Sequence, residues 1–507
     1  MTPITVSHLP DDPRQTTVIV SVLVVIFLAA MEGMVTSTIM PSVIAAIGGM
    51  SLYPWATASF MLASTVTTPI YGKLSDVYGR KRFVLIAIAI FLVGSVLCGV
   101  ADDMVQLIAF RAVQGIGAGG LLTMSFIIFG VLFSAERRAR MQGLLSSMWA
   151  LASIAGPIIG ALCVQSLSWR WAFFLNVPIG LVAAGMIARN LQLPDEPNRT
   201  YRMDYLGVFL FVASMSALLG ASMALTAGHG TAMLWACTGL AAGLFTLLIV
   251  HERRVAEPIL PIPMFRQPAF RLSVAMAAIG TAGFFATMTL LPVYLQGVMG
   301  AAPATTGQAL IAISVGWAVG AGLSGRVLHA LGFRTPALIG TVMIVSAYLA
   351  FYWSSGAGML WPLIACCAVL GLGMGGMATA TLMAIQTSAP REMLGAATSG
   401  SQLFRTIGGT LGISLFGGLQ LGYFTRGLHA LAARNPHPAL ARIVEEPHLI
   451  LDVAGRKLLP PDVLVQATEI LADSIHQVFL MAALFSAVSV ALASRMPEVP
   501  GSDDPKG

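Results

Sequence analysis

The sequence predicts an all-α integral membrane protein with two six-helix bundles and two inserted helices, fourteen transmembrane helices in all. Three observations carry that prediction. The composition is 57% hydrophobic and only 10% charged, with a mean hydropathy of +0.83; soluble proteins average about 25% charged residues. Fourteen apolar runs approach the spanning length of about twenty residues. Two pairs of segments recur roughly half a chain apart. The 52 glycines suit membrane helices that pack backbone to backbone.

The runs fall, in order, at 17–40, 53–71, 83–101, 104–132, 143–165, 173–191, 205–227, 232–251, 270–295, 307–328, 335–354, 359–386, 394–420 and 476–494. The first is too long for the apolar core of a signal peptide, and the tail before it carries Asp11 and Asp12 against Arg14, so it reads as a retained helix. Basic residues cluster after even-numbered runs: Lys73, Arg80, Lys81 and Arg82; Arg137, Arg138 and Arg140; Arg199 and Arg202; Arg253, Arg254, Arg266 and Arg271; Arg326 and Arg334; and Arg391. Loops after odd-numbered runs are nearly bare, as in "AIGGMSLYP" and "GAAPATT". The positive-inside rule then places both termini in the cytoplasm. Segment 424–474 departs from this pattern, with five basic residues offset by six acids. Parity puts it outside as an external loop, and long loops obey the rule weakly.

The net charge of +6 is scattered between apolar runs and forms no continuous stripe, so nucleic acid is not an expected partner. Cys98, Cys163, Cys237, Cys366 and Cys367 all lie inside apolar runs without disulfide or metal spacing. No metal site is expected.

"GIGAGG" (115–120) and "GLGMGG" (371–376) both match a dinucleotide fingerprint, but each lies inside an apolar helix with no strand before it. Their recurrence is the informative part, at an offset of 256 (371 − 115). "GKLSDVYGRKR" from Gly72 and "GRVLHALGFR" from Gly325 recur at 253 (325 − 72). Both copies of this loop lie on one side, which makes a parallel repeat, the organisation of transporters that bind substrate between two six-helix halves. The expected organisation is a cytoplasmic tail (1–16), a first bundle (17–191), a linker with two extra helices (192–269), a second bundle (270–494) and a cytoplasmic tail (495–507).

"GKLSDVYGRKR" resembles the loop between helices 2 and 3 of the major facilitator superfamily, and the likeness extends over nearly the whole chain. "QLIAFRAVQGIGAGG" resembles that superfamily's helix-4 signature with its embedded Arg111. The run from Gly143 through Ala152 to Gly156, Pro157 and Gly160 resembles the helix-5 antiporter motif. "WRWAFFLNVPIG" and the inserted helix pair resemble fourteen-helix drug:proton antiporters of the EmrB/QacA type. "MEGMVTSTIMP" resembles their helix-1 motif, with Glu32 where the family usually has Asp.

Glu32 is the only acid deep in any span. Burial favours its protonated form and a nearby cation favours its ionised form, and these opposed pushes suit a group that takes up and releases a proton. The candidate cation is Arg111, the only base well inside the first bundle. Glu32 lies roughly 22 Å along its helix and Arg111 roughly 10 Å from the outer end of its own, so both fall in the outer half of the membrane. The alternative is a fixed ion pair that only positions helices. In the loop, Gly72 and Gly79 suit a tight turn, Asp76 suits a helix N-terminus, and Arg80 is a candidate partner for Glu136. The resemblance implies that Asp76 meets the helix opening near Met393 and latches the cytoplasmic side. The small residues of the fifth span suit close packing of a neighbouring helix, beside a proline that kinks it.

Met34, Phe60, Met61, Gln114, Trp149, Phe285, Met288, Gln296 and Met377 are candidate substrate contacts, with Met148 and Phe284 beside them. Methionine and aromatic side chains re-pack around varied apolar ligands, and ordinary helix packing is the alternative at each. The expected function is proton-coupled efflux, by alternating access, of lipophilic neutral or monovalent cationic compounds. A dedicated lipid or secondary-metabolite exporter and a proton-coupled importer are the alternatives. "IYGKLSD" lacks the glycine and Ser/Thr of a phosphate loop, and no nucleophile–base pair is evident, so an enzyme is not expected. No cofactor is expected beyond the proton gradient. Expected partners are small lipophilic substrates, protons and the bilayer of a bacterial inner membrane. The chain is expected to act as a monomer, or with a periplasmic adaptor protein.

Overall fold

The computed structural model describes residues 13–48, 52–133, 135–192, 204–226, 231–255, 262–301, 303–354, 360–390, 393–434, 440 and 460–497. Among them every regular element is helical. In order these are α1 (Pro13–Ile47), α2 (Tyr53–Tyr78), α3 (Arg80–Gly99), α4 (Met104–Leu132), α5 (Ala135–Ser166), α6 (Trp171–Phe174), α7 (Asn176–Asn190), α8 (Tyr205–Thr226), α9 (Thr231–Glu252), α10 (Pro268–Pro292), α11 (Pro303–Leu331), α12 (Arg334–Trp353), α13 (Leu360–Ser388), α14 (Leu394–Arg434) and α15 (Pro461–Ala493). Among the described residues eleven helical segments, α6 and α7 together making one of them, are long and apolar enough to cross a membrane. The other three predicted spans coincide with α2, α8 and α14.

Three boundaries differ from the sequence reading. The sixth span is interrupted between Phe174 and Asn176. α14 runs on to Arg434, and α15 begins at Pro461, so both ends of the segment predicted as an external loop are helical. Charges such as Arg426, Asp462 and Glu469 dilute its hydropathy, while Leu428, Val463, Ala467 and Leu471 keep a buried stripe at helical spacing. α10 passes at Pro292 into a wider π turn (Val293–Val298), where proline supplies no backbone donor.

The chain divides into two compact units. One comprises residues 1–132, 151–203 and 391–399, and the other residues 133–150, 204–390 and 400–507. The division departs from the contiguous bundles 17–191 and 270–494, because α5 and α14 each contribute to both units and the α8–α9 pair falls in the second.

Within the first unit, α4 packs on α2 and α3, α1 on α4 and α7, and α3 on α7. Within the second, α13 packs on α11 and α12, α10 on α13 and α15, and α12 on α15. The same five pairings occur in both. The glycine runs explain the closeness. A Cβ on Gly115 or Gly119 would strike backbone oxygens of Phe60 or Ser64 in α2, and one on Gly117 would strike the Phe91 backbone in α3. In the second copy Gly371 and Gly375 meet the carbonyls of Ile313 and Trp317 in α11, and Gly373 meets that of Gly340 in α12. The matching turns also agree. Gly79 (φ +97°) and Gly332 (φ +66°), offset by 253 (332 − 79), both take the left-handed backbone that glycine adopts without strain.

Candidate functional site

α1 carries Glu32 into the interior of the first unit among apolar neighbours. Met31 and Val35 on the same helix are buried with Cys98 of α3, Leu107 of α4 and Phe173 of α6. The Glu32 and Arg111 side chains are 2% and 1% exposed, and Arg111 Nη1 donates to Glu32 Oε1 at 2.6 Å. Thr36, one turn along α1, donates to the same oxygen at 3.1 Å. The second oxygen, Oε2, accepts from Asn176 Nδ2 at 2.7 Å. Three helices, α1, α4 and α7, thus meet on one carboxylate.

Arg111 is held as closely. Its Nη1 also donates to Gln114 Oε1 at 2.7 Å, its Nε to the Ala56 carbonyl at 3.4 Å, and its guanidinium carbon lies 4.1 Å from the centre of the Phe60 ring. Gln114 Nε2 donates to Ser95 Oγ at 2.7 Å, and Asn176 Nδ2 reaches the same hydroxyl at 3.2 Å. Cys98 Sγ contacts Gln114 Oε1 at 3.8 Å. Removing one member of a buried charge pair typically costs about 3–5 kcal/mol, because the other charge is left uncompensated. The donors around Glu32 are what make its burial tolerable.

Around the loop, Asp76 accepts backbone N–H bonds from Gly395 (3.2 Å) and Ala396 (3.0 Å), the second and third residues of α14, within the first unit. Arg80 Nη2 donates to Asp76 Oδ1 at 3.0 Å. The side chain of Glu136 lies outside the described residues, so its pairing with Arg80 does too. Gly79 is the single residue between α2 and α3. Gly72 is not part of that turn. It lies inside α2, where a Cβ would strike Ser399 Oγ and approach the Gly395 carbonyl at 2.8 Å, so its role is close packing.

The small residues of α5 serve two neighbours. A Cβ on Gly143 would come within 2.8 Å of Gly322 Cα in the second unit. In the first unit, one on Gly156 would come within 2.5 Å of Met34 Cβ, and one on Gly160 within 3.1 Å of Thr38 Cβ. Pro157 sits inside the helix between them.

Of the candidate substrate contacts, Gln114 and Met377 are buried. Gln114 is taken up by Arg111 and Ser95, while Met377 fills the space beside Gly280 and Gly340. Polarity or softness in a span does not by itself distinguish a cavity wall from a core. Phe60 lies under Arg111. Met34, Met61, Trp149 and Phe285 are exposed, Met288 is half-buried, and Gln296 Nε2 donates to Thr306 Oγ1 at 3.2 Å. Asn176 and Ser95 were missed by the sequence reading. Asn176 stands within "WRWAFFLNVPIG", and a lone amide between apolar residues was the available signal.

A sequence profile of the Major Facilitator Superfamily matches residues 22–413. The chain is 32% identical over 411 residues to the multidrug transporter protein MdtP of Bacillus subtilis, covering 80% of this chain and 75% of that one. It is 32% identical over 476 residues to multidrug resistance protein 3 of the same organism, covering 92% of each. The solved proton:xylose symporter XylE shares the fold at a TM-score of 0.60 and 13% identity, over 95% of this chain and 96% of that one.

Proposed function

Because this chain belongs to the major facilitator superfamily, we propose that it is a proton-coupled exporter of lipophilic compounds, of the multidrug type. It works by alternating access, in a bacterial cytoplasmic membrane with both termini inside, and it carries out no covalent chemistry. The names of its relatives from Bacillus subtilis support the export reading. The observation that carries proton coupling is the buried Glu32 carboxylate, held by donors from α1, α4 and α7.

In this mechanism ionised Glu32 draws Arg111 and Asn176 together. A proton on Glu32 cancels the charge and turns one acceptor oxygen into a donor, which loosens the attraction to Arg111 and opposes the Asn176 N–H. Proton occupancy is thereby coupled to how α1 sits against α4 and α7. Asp76, capping α14, serves as the cytoplasmic latch. Proteoliposomes loaded with a lipophilic dye test the reading. An imposed pH gradient is expected to drive export by the wild type and not by Glu32→Gln. Gradient-driven export by Glu32→Gln would refute the assignment of the proton carrier.

A further inference from the structure

The second unit holds a deep cation that the proton-coupling network does not use. Arg405 lies eleven residues into α14 from Leu394, about 16 Å along the axis, inside the apolar run 394–420 that reads as a span. The acids described in that unit are elsewhere. Glu136 opens α5, Asp204 and Glu252 flank the ends of α8 and α9, and Asp462, Glu469 and Asp473 precede the apolar stretch of α15. Among the described residues the Arg405 guanidinium has no ion pair. It lies over the face of Trp317 in α11, 5.6 Å from guanidinium carbon to ring centre.

The backbone beneath it is fixed. Thr281 Oγ1 donates to the Arg405 carbonyl at 2.9 Å, and a Cβ on Gly408 or Gly412 would strike Ala278 or Ala282 of α10. Aromatic rings continue from the cation. Trp317 meets Phe284 edge-on at 4.9 Å, Phe284 meets Phe285 at 5.6 Å, and the Phe285 side chain is 39% exposed. Ionisable residues at this depth are rare, and they face protein interiors or water-filled cavities.

We propose that Arg405, Trp317 and Phe285 form a subsite for monoanionic aromatic lipophiles, with the guanidinium fork taking a carboxylate or sulfonate and the rings taking the apolar body. The inference rests on the export reading and deepens it. Expectation from negative charge alone was neutral or monocationic substrates. Glu32, however, is committed to Arg111, and among the described residues Arg405 is a cation without an ion pair, so the range extends to anions.

The test uses the purified full-length chain in detergent and three probes with one apolar body: pyrenebutyrate, pyrenebutanol and pyrenebutyltrimethylammonium. Binding is followed by pyrene anisotropy. Wild type is expected to bind the butyrate most tightly. Arg405→Gln should lose roughly tenfold or more of that affinity, as for a charge-assisted bidentate bond, with alcohol binding changed less than about twofold. Arg405→Lys keeps the charge without the fork, and should fall between these with the same selectivity. Equal affinity of wild type for the three probes would overturn the subsite. So would an equal loss of butyrate and alcohol in either variant. Failure of a pH gradient to drive pyrenebutanol out of wild-type proteoliposomes would instead remove the export reading, and the equilibrium comparison would still decide the subsite.

Discussion

Replacing Asp76 by Asn isolates the proposed latch. The first N–H groups of a helix have no acceptor within it, and two of those in α14 are taken by one carboxylate. An amide offers a single acceptor oxygen and no charge. The loss is part of a capping interaction, typically about 1 kcal/mol, plus a charge–dipole contribution of about 0.3–1 kcal/mol. The sum of about 1–2 kcal/mol changes an equilibrium constant roughly 5–30-fold. Hydrogen exchange of the peptide covering 394–399 reads this directly, since those amides exchange when the cap opens. Exchange in Asp76→Asn should rise by that factor and in Asp76→Ala by more. Dye export should slow without altering which compounds are carried. Unchanged exchange would refute the capping argument. A changed substrate profile at normal turnover would place Asp76 in the binding path.

Glu32→Asp should retain part of the gradient-driven export that Glu32→Gln loses, because it keeps a titrating group about one methylene short; expression and substrate binding should remain measurable in both. Gly375→Val should melt at lower temperature and give less purified protein than wild type, since its side chain would enter the Trp317 carbonyl at a cost of about 1–3 kcal/mol. Gly185→Ala, in α7 with open space around it, should match wild type or melt slightly higher, by about 0.5–1 kcal/mol of helix preference. With one proton per cycle, export of a neutral compound should gain about 2.3 kcal/mol per 100 mV of imposed voltage, whereas monocation export should respond to the pH gradient alone. Efficient export of dications would reveal a second proton site.

The helical runs were legible because bilayer crossing demands long apolar stretches, and the duplication because closely packed helices need glycine at fixed registers. Glu32 and Arg111 were legible because charge is conspicuous in an apolar run. Asn176 and Ser95 were not, since short polar side chains are common in membrane helices and become informative only when their neighbours are known. Gln114 was noticed as polar and shares a face of α4 with Arg111, but that this face met Ser95 depended on how α3 and α4 register against one another, which the sequence does not fix. The ends of α14 and α15 were hidden because a hydropathy window averages over both faces of an amphipathic turn. Gly72 and Gly79 looked alike in the motif, and only the backbone separates a packing glycine from a turn glycine.

The two copies of the fold have diverged in what they bury. In the register that aligns Gly115 with Gly371, Arg111 corresponds to Cys367 and Gln114 to Leu370, both fully buried. The first copy thus carries a polar knot where the second has apolar filling. Exchanging buried ion pairs for well-packed apolar groups is often neutral or favourable to stability, so the halves are expected to be unequally robust. The first would open locally at lower free energy, and heat or denaturant should reach it before the second. On that account, a duplication that began as symmetry ends as a division of labour, with a polar, less robust interior in one copy and an apolar, more robust one in the other.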